Sequence, residues 1–208
     1  MRLFDDIIFY ITHLLTPFQE VVIKSMYKNI DWEVAYAYLM TVEGKGVTNV
    51  VAEKELRKGK YWRVINGIDE QYNPAFINRY WDEALYVSKL PFENLRKQGI
   101  LSVIKKYYYD NYWLPSGAND LPSPYNIFAF DAHVQGQHKH LDKTSPELII
   151  QARIDDYNTN SQTWNRQGWI QNRMRVLAEY VGANKRQIKF AYLDSKNNPI
   201  EMPDNLYA

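Results

Sequence analysis

Cysteine is absent from the 208-residue chain, and neither sign of charge is in clear excess. The lack of cysteine excludes disulfides, zinc–thiolate sites and thiol nucleophiles. The formal net charge of +1 provides no overall field that would attract nucleic acid. Internal repeats, low-complexity segments and linkers are also missing from the sequence. These absences favour one globular domain, long enough to bury a substantial core.

Aromatic residues make up 15% of the chain, with 17 Tyr and 6 Trp. They suit a packed core, and they also suit a groove that stacks on sugar rings or bases. The N-terminal stretch from Met1 to Leu15 is apolar but too short to span a bilayer, and Asp5 and Asp6 lie where a signal peptide would be basic. We predict an amphipathic helix of the domain, no transmembrane segment, and a peripheral membrane contact as the alternative.

The stretch around Glu43 organises the rest of the chain. Asp31 is a candidate N-cap, and Glu43 is predicted in the last turn of a helix, which then breaks at Gly44 and Gly46. The apolar positions of this helix repeat at helical spacing: Val34, Ala35, Tyr38, Leu39 and Val42. The helix dipole and an apolar setting both favour the neutral form of Glu43, which suits a general acid. The alternative is a solvated Glu at a frayed helix end.

Apolar periodicity predicts further helices over 76–90, over 95–113, from Pro124 to Gly136 with Ser123 as N-cap, after a capping box from Thr144 to Glu147, and over 164–181. Between Lys45 and Asn73, β-branched and aromatic residues flanked by turn formers predict a small hairpin or irregular lobe. The tail after 183 is predicted to be a strap or hairpin. The predicted fold class is therefore mainly α, a single domain over 1–208 with N-terminal helices over 1–30, a core over 31–182 and the tail.

Ordered motifs in this sequence resemble those of glycoside hydrolase family 108, the N-acetylmuramidases that include phage endolysins and bacterial secretion activator proteins. The resemblance spans roughly residues 32 to 181 and depends on order and spacing. It is carried by Glu43-Gly44, Gly67-Ile68, Tyr109-Asp110-Asn111-Tyr112-Trp113, Asp120-Leu121-Pro122, Phe130-Asp131-Ala132-His133-Val134-Gln135, Arg153, Gly168-Trp169-Ile170 and Arg173-Met174-Arg175-Val176.

The resemblance implies a lysozyme-like helical domain that cleaves peptidoglycan between N-acetylmuramic acid and N-acetylglucosamine, with Glu43 as general acid. It also implies a monomer without cofactor or metal, whose partner is the glycan strand. A cytoplasmic chain without a signal peptide would then reach the cell wall through a holin-type or other export route, or inside a virion.

This chain departs from the family pattern after Glu43. The family's Asp-Pro-Gly-Gly-x-Thr segment is not recognisable, its threonine position falls on Val64, and Gln135 replaces an Asn. The group that holds or activates the attacking water is therefore left open. The candidates are Asp69 and Thr48, which flank the predicted lobe, together with Glu53, Glu55 and Asn49.

Aromatic side chains are predicted to line the groove on two sides, with Tyr61 and Trp62 on one wall and Tyr109, Tyr112 and Trp113 on the other. The resemblance adds Gln135 to these predicted contacts with substrate. Core packing is the alternative for Trp113. Asp131 is predicted to have a structural role, in which it orients a loop through hydrogen bonds to backbone amides.

Two other functional patterns are weaker. His133, His138 and His140 have a spacing that could bind zinc, but the pair lies in a polar loop, so no metal is predicted. Arg166, Arg173 and Arg175 could indicate nucleic acid, although neighbouring acidic residues favour a solvated face or contact with anionic cell wall. A catalytically weak or inactive module that binds glycan or serves in a virion remains the main alternative to a muramidase.

Overall fold

The computed structural model describes residues 31–43, 45–136, 141–160, 164–188, 192–193 and 199–200, with side-chain placement through 156 and again from 172 to 188. Three predicted features lie outside the described residues and side chains: the helices over 1–30, the pair His138 and His140, and the side chain of Arg166. The chain is mostly helical with a small sheet after Glu43, as predicted.

The central element is the helix that leads to Glu43, whose described part covers 31–42 and is called α1 here. Of its apolar positions at helical spacing, Ala35, Tyr38 and Leu39 are 0% exposed and Val42 is 9% exposed, whereas Val34 is exposed at 36%. Asp31 lies within the helix and accepts a hydrogen bond from Asn126, so its predicted role as N-cap is not what the structure shows. Burial raises the pKa of Asp31.

A three-stranded antiparallel sheet follows α1. It consists of β1 (Ala52–Arg57), β2 (Lys60–Ile65) and β3 (Ile68–Asp69), in that spatial order. Both connections are two-residue turns, Lys58-Gly59 and Asn66-Gly67, with positive φ at each residue. This backbone matches the twist of a hairpin, and Asn-Gly is the dipeptide that adopts it most readily.

Five further helical segments build the body between the sheet and the loop at 135. They are α2 (Pro74–Val87), α3 (Leu95–Tyr108), a π-helical turn (Tyr109–Trp113) that continues α3, a 3-10 turn (Ala118–Asp120) and α4 (Tyr125–Val134). The side chain of Asn94 caps α3 by accepting from the backbone N–H groups of Arg96 and Lys97. The predicted cap at Ser123 is wrong, because Pro124 occupies the N-cap position of α4.

The last helices are α5 (Pro146–Asn160) and α6 (Trp164–Tyr180), which pack against each other. The predicted capping box is shifted by one residue, because Ser145 rather than Thr144 accepts from the backbone N–H of Leu148. Helix α6 ends before Gly182, whose φ of 66° is typical of a helix C-terminus. A short hairpin of β4 (Tyr192–Leu193) and β5 (Pro199–Ile200) lies in the tail, as predicted.

Aromatic rings pack the other helices around α1. The ring of Trp32 contacts those of Tyr109, Trp113 and Phe130 at centroid distances of 5.2, 5.5 and 5.6 Å. Further along α1, Tyr38 contacts Tyr180 of α6 at 5.5 Å. Helix α1 therefore lies between α3, α4 and α6, and its C-terminal end brings Glu43 next to the sheet.

Candidate functional site

Glu43 lies at the C-terminal end of α1, as the sequence predicts. Its backbone N–H donates to the carbonyl of Leu39, and the N–H groups of Lys45 and Gly46 both donate to the carbonyl of Met40. These bonds satisfy carbonyls at the helix end and turn the chain away from the helix axis. The side chain of Glu43 is 22% exposed, so it is neither solvated nor sealed in the core.

Arg173 of α6 holds one oxygen of this carboxyl. Its Nη1 atom donates to Oε1 of Glu43 at 2.8 Å, and the Arg173 side chain is 0% exposed. This carboxyl at the helix end is thus hydrogen-bonded to a buried cation. The expectation that Glu43 has a purely apolar setting therefore needs correction, because the sequence pattern did not reveal this partner.

Arg173 is itself fixed by Asp131 of α4. Both Nε and Nη2 of Arg173 donate to Oδ1 of Asp131, at 2.9 and 2.6 Å, and the hydroxyl of Tyr38 donates to the same oxygen at 2.7 Å. Arg153 of α5 pairs with the other oxygen, Oδ2, at 2.6 Å. Asp131 and both arginine side chains are 0% exposed. We call Tyr38, Asp131, Arg153 and Arg173 the buried charge cluster.

The pKa values in this cluster follow from burial and charge. Burial alone would raise the pKa of Asp131, but the charges of Arg173 and Arg153 and the hydrogen bonds from Tyr38 and Arg173 outweigh it and hold the pKa below its ordinary value. Burial, then the nearby Asp131 charge, raises the pKa of Tyr38 well above its ordinary value. The cluster therefore keeps Asp131 charged and Tyr38 neutral at pH 7.

The predicted structural role of Asp131 agrees with this arrangement, but its partners are arginine and tyrosine side chains rather than backbone amides. Gln135, one turn further along α4, lies beside Arg173. With its carboxamide oxygen turned toward the guanidinium, it accepts from Nη1 and Nη2 at 3.3 Å each. Gln135 therefore reaches Glu43 only through Arg173, which differs from its predicted contact with substrate.

The Asn66-Gly67 turn lies beside the other oxygen of Glu43, Oε2. A Cβ atom added to Gly67 would lie 3.6 Å from Oε2 of Glu43 and 3.0 Å from the hydroxyl of Tyr108. That hydroxyl donates to the carbonyl of Asn66 at 2.8 Å. Burial, followed by the charge of Glu43, raises the pKa of Tyr108 well above its ordinary value. Glycine is thus needed here both for its positive φ of 85° and for the close approach.

The candidate second carboxylates share one face of the sheet. The cross-strand pairs Glu53↔Val64 and Glu55↔Trp62 and the pair Val64↔Asp69 place these side chains on the same side. Lys45 donates to Glu53 at 2.5 Å, so the segment that follows Glu43 lies against this face. We call it the Trp62 face. Lys45, two residues after Glu43, therefore contacts the sheet on this face.

Each carboxylate on the Trp62 face has a basic partner. Arg57 pairs with both Glu55 and Asp69, while Glu53 pairs with Lys45. Asp69 is 7% exposed and also accepts from the backbone N–H of Gln71 at 2.7 Å. Thr48 and Asn49 lie in an exposed turn before β1. The catalytic roles predicted for Asp69 and Thr48 remain predictions, and Asp69 would have to exchange Arg57 for a water.

The predicted aromatic walls are rearranged. Tyr61 and Trp62 are adjacent in β2, so their side chains point to opposite sides of the sheet and cannot form one wall. Trp113 is 1% exposed and packs against Trp32 and Phe130, which supports its alternative role in the core. Tyr109 and Tyr112 are half-buried, and Tyr112 contacts the rings of Tyr108 and His133. Of the predicted aromatic contacts, Trp62 is the one that shares a face with Glu53 and Asp69.

Sequence reasoning missed Arg173 as part of the site, because the arginines of α6 were interpreted as a solvated face, and it assigned no role to Arg153 of α5. A signal was available, since Arg173 immediately precedes Met174, which is 0% exposed, and lies four residues before buried Leu177. An arginine inside the apolar stripe of a helix indicates a buried partner. The partner itself could not be chosen, because Glu43 lies 130 positions away in the sequence.

Two cavities lie away from Glu43. One of about 660 Å³ lies beside α1 between Val34, Ala37, Leu101 and Tyr180, with Glu33 and Lys105 at its edge. A second of about 330 Å³ is lined by Trp32, Ser102, Lys105, Lys106 and Tyr109. Glu33 and Lys105 already form an ion pair with each other, and the walls of the larger cavity are otherwise mostly apolar. This cavity therefore offers no converging set of groups for catalysis.

Metal-ligating residues do not converge within the described ranges, where no group of three or more His, Cys, Asp or Glu side chains could hold an ion. His133, half-buried on α4, contacts the ring of Tyr112. In the same part of the chain, none of the helices has the length and apolar character needed to cross a membrane. Comparison of the chain with protein-family models, curated proteins and solved structures finds no match.

Proposed function

We propose that this protein is a lysozyme-type N-acetylmuramidase that hydrolyses the glycan strand of peptidoglycan, with Glu43 as the general acid. The proposal combines the motif resemblance with the surroundings of one carboxyl group. Glu43 pairs with Arg173 of the buried charge cluster, and Lys45, two residues further along the chain, pairs with Glu53 on the Trp62 face. A glycosidase needs a carboxylic acid that is held in a fixed orientation beside its substrate.

The observation that carries the proposal is the asymmetry of the Glu43 carboxyl. Oε1 accepts from buried Arg173, whereas Oε2 faces the Gly67 turn, and the side chain keeps 22% of its surface exposed. The ion pair fixes the rotation of the carboxyl, so Oε2 is the oxygen that can carry a proton to a leaving group. Preorganisation of this kind lowers the entropic part of a barrier.

The reaction requires the proton to be on Glu43 when substrate is bound. A sugar ring that covers the carboxyl excludes water and thereby favours the neutral acid against the influence of Arg173. The acid then protonates the glycosidic oxygen as the bond to that oxygen breaks. The attacking water would be held on the Trp62 face, with Asp69 as the first candidate and Thr48 as the second.

An inactive glycan-binding or virion-structural module is the second candidate function. The same ion pair favours it, because a carboxylate neutralised by buried arginine is a poor proton donor. The pairing of Asp69 with Arg57 adds to this, since it occupies the leading water-holding group. The two functions therefore differ in whether Glu43 can be protonated in the complex with glycan.

Release of soluble muropeptides from purified peptidoglycan tests the proposal, with products identified by mass and by their reducing ends. Wild type should generate reducing N-acetylmuramic acid ends, and Glu43→Gln should lower the rate by at least about a hundredfold, the scale of a lost general acid. Glu33→Gln is the matched control, because Glu33 lies on the same helix with 60% exposure and pairs with Lys105 at the surface. It should retain wild-type release.

Two results would reject the muramidase. A folded wild type that pellets with peptidoglycan but releases nothing would establish the binding module instead. Release that persists at the wild-type rate in Glu43→Gln would show that another residue supplies the proton.

A further inference from the structure

The tip of the β1–β2 hairpin carries an exposed apolar pair that the proposed active site does not use. Leu56 and Tyr61 are direct cross-strand neighbours and are 59% and 64% exposed. Further from the tip, Val64 and Ile65 of the same hairpin are buried, at 2% and 0%. Exposure therefore increases along the hairpin from its base to its tip, so the apolar pair lies at a projecting end.

Basic residues surround this pair. The segment Lys54–Arg63 holds five cationic side chains and one acidic side chain, Glu55, in a protein whose formal net charge is only +1. Arg57 and Arg63 form ion pairs within the fold, with Glu55 and Asp69 and with Glu70. The lysines at 54, 58 and 60 are exposed, and Lys60 lies over the ring of Trp62 at 3.8 Å. The positive charge at the tip is therefore presented to solvent.

The side of the sheet that carries Leu56 and Tyr61 is opposite to the Trp62 face. The pairs Lys54↔Arg63 and Leu56↔Tyr61 share this side. At the base of the hairpin, the guanidinium of Arg63 lies over the ring of Trp81 of α2 at 5.6 Å and donates a hydrogen bond to Asn78. The Glu53–Lys45 contact lies on the other side. A ligand held beside Glu43 by Trp62 would thus leave Leu56 and Tyr61 uncovered.

We propose that this hairpin tip is a docking element for an anionic lipid surface. Leu56 supplies an aliphatic side chain that can enter the acyl boundary, and Tyr61 supplies an amphipathic ring suited to the headgroup level. Lys54 and Lys58 lie beside them and attract acidic headgroups, an effect of about fivefold in affinity for each lysine near the surface. Together they give an apolar and an electrostatic contribution, which is what reversible anchoring requires.

Other occupants fit these observations less well. Two side chains expose far less apolar area than the roughly 800 Å² per partner of a stable protein interface. A sugar ring would stack on Tyr61, but it would gain no hydrogen bond from Leu56, which lies directly opposite. A lipid surface explains why Leu56 is exposed, and the negative charge of that surface explains the surrounding lysines.

Vesicle pelleting tests the proposal with the full-length chain. Sucrose-loaded vesicles of phosphatidylcholine mixed with phosphatidylglycerol should pellet the protein, whereas phosphatidylcholine alone should not, and added salt should weaken binding. The double variant Leu56→Ser with Tyr61→Ser should bind at least about tenfold more weakly. Lys54→Gln with Lys58→Gln should lose about fivefold for each lysine on the acidic vesicles.

A matched control is available on the helices. Leu95 and Tyr86 are 81% and 52% exposed, and Leu95→Ser with Tyr86→Ser should bind as wild type does. The proposal is overturned if wild type does not pellet with acidic vesicles, or if it pellets equally with neutral ones. It is also overturned if the hairpin variant keeps full vesicle binding but loses binding to purified peptidoglycan, because the tip would then contact glycan.

The absence of cysteine allows a second, site-specific readout. Leu56→Cys, labelled with an environment-sensitive dye, should show a blue-shifted and brighter emission on acidic vesicles, whereas Leu95→Cys with the same dye should not change. Equal responses at both positions would reject insertion of the tip. Because neither readout involves Glu43 or hydrolysis, the lipid proposal and the muramidase proposal succeed or fail separately.

Discussion

The buried charge cluster and the hairpin tip are built from the same kinds of residues, arginine or lysine with tyrosine, yet they have opposite surroundings. In the cluster, Asp131 accepts from Tyr38 and Arg173 and pairs with Arg153, with all three charged side chains at 0% exposure. At the tip, Tyr61 is 64% exposed, and the neighbouring lysines face solvent.

The comparison shows that charge count alone does not indicate what a basic segment does. A buried arginine must be compensated within the fold, so the cluster is expected to determine stability and the position of Glu43. An exposed lysine is compensated by water, so the tip is expected to affect binding and leave stability almost unchanged. Each of the following changes tests one side of this contrast.

Asp131→Asn should produce the largest loss of stability. It leaves the guanidinium groups of Arg153 and Arg173 buried without their counter-charge, which is expected to lower the free energy of unfolding by about 3–5 kcal/mol. Urea denaturation would measure the change. Asp110→Asn removes an exposed partner of Lys106 and should cost less than about 1 kcal/mol. Equal losses in the two variants would remove the distinction between buried and surface charge.

Acid should weaken the buried charge cluster. Because the folded-state pKa of Asp131 lies below its unfolded value, its contribution to stability is fully present above about pH 4 and is lost as the pH falls through the folded pKa. The free energy of unfolding, measured from pH 7 downward, should therefore decrease more steeply in wild type than in Asp131→Asn. Parallel acid profiles would contradict the assigned shift.

Gly67→Ala should have an intermediate effect at the boundary between the cluster and the sheet. The new Cβ would lie 3.0 Å from the Tyr108 hydroxyl at a φ of +85°, so we expect a loss of about 1–3 kcal/mol in the free energy of unfolding. Gly59→Ala is the control, since it has a φ of +76° and nothing within 4 Å of an added Cβ. The difference between the two losses in thermal or urea unfolding isolates the effect of the close contact, and no difference would mean that the turn can move.

The hairpin substitutions should have the smallest effect on stability. Leu56→Ser with Tyr61→Ser changes two exposed side chains, and the free energy of unfolding should stay within about 0.5 kcal/mol of wild type for each. A loss comparable to that of Gly67→Ala in the same urea experiment would mean that the tip packs against the rest of the protein and is not free to dock.

Much of the fold follows from local sequence signals. Helical spacing located α1 and its end at Glu43, and the Asn66-Gly67 turn indicated the hairpin, because both depend on neighbouring residues. The caps of α4 and α5 were displaced by one residue, since adjacent Ser, Thr and Pro compete for the same position. Side chains alternate between the two faces of a strand, so the adjacent positions of Tyr61 and Trp62 were enough to predict that they lie on opposite faces. The aromatic composition had instead suggested a shared wall.

Less of the candidate site than of the fold could be predicted from the sequence. The position of Glu43 was predicted from its helix. Its partner Arg173 comes from α6, and Asp131, which binds Arg173, comes from α4, both across long sequence separations. Local patterns carry no information about which distant charges will meet. Core packing placed the indole of Trp113 inside for the same reason, and the amide of Gln135 lies beside Arg173, while its predicted contact with substrate stays a prediction.

The most direct test of the central claim measures hydrolysis and stability together on Glu43→Gln. The claim is that the cluster holds Glu43 in place while Glu43 itself does the chemistry. The amide can still accept from Arg173 through its oxygen, so the free energy of unfolding should change by less than about 1.5 kcal/mol. Release of reducing N-acetylmuramic acid ends should fall to background. A variant that still cleaves peptidoglycan, or one that unfolds as readily as Asp131→Asn, would contradict the account.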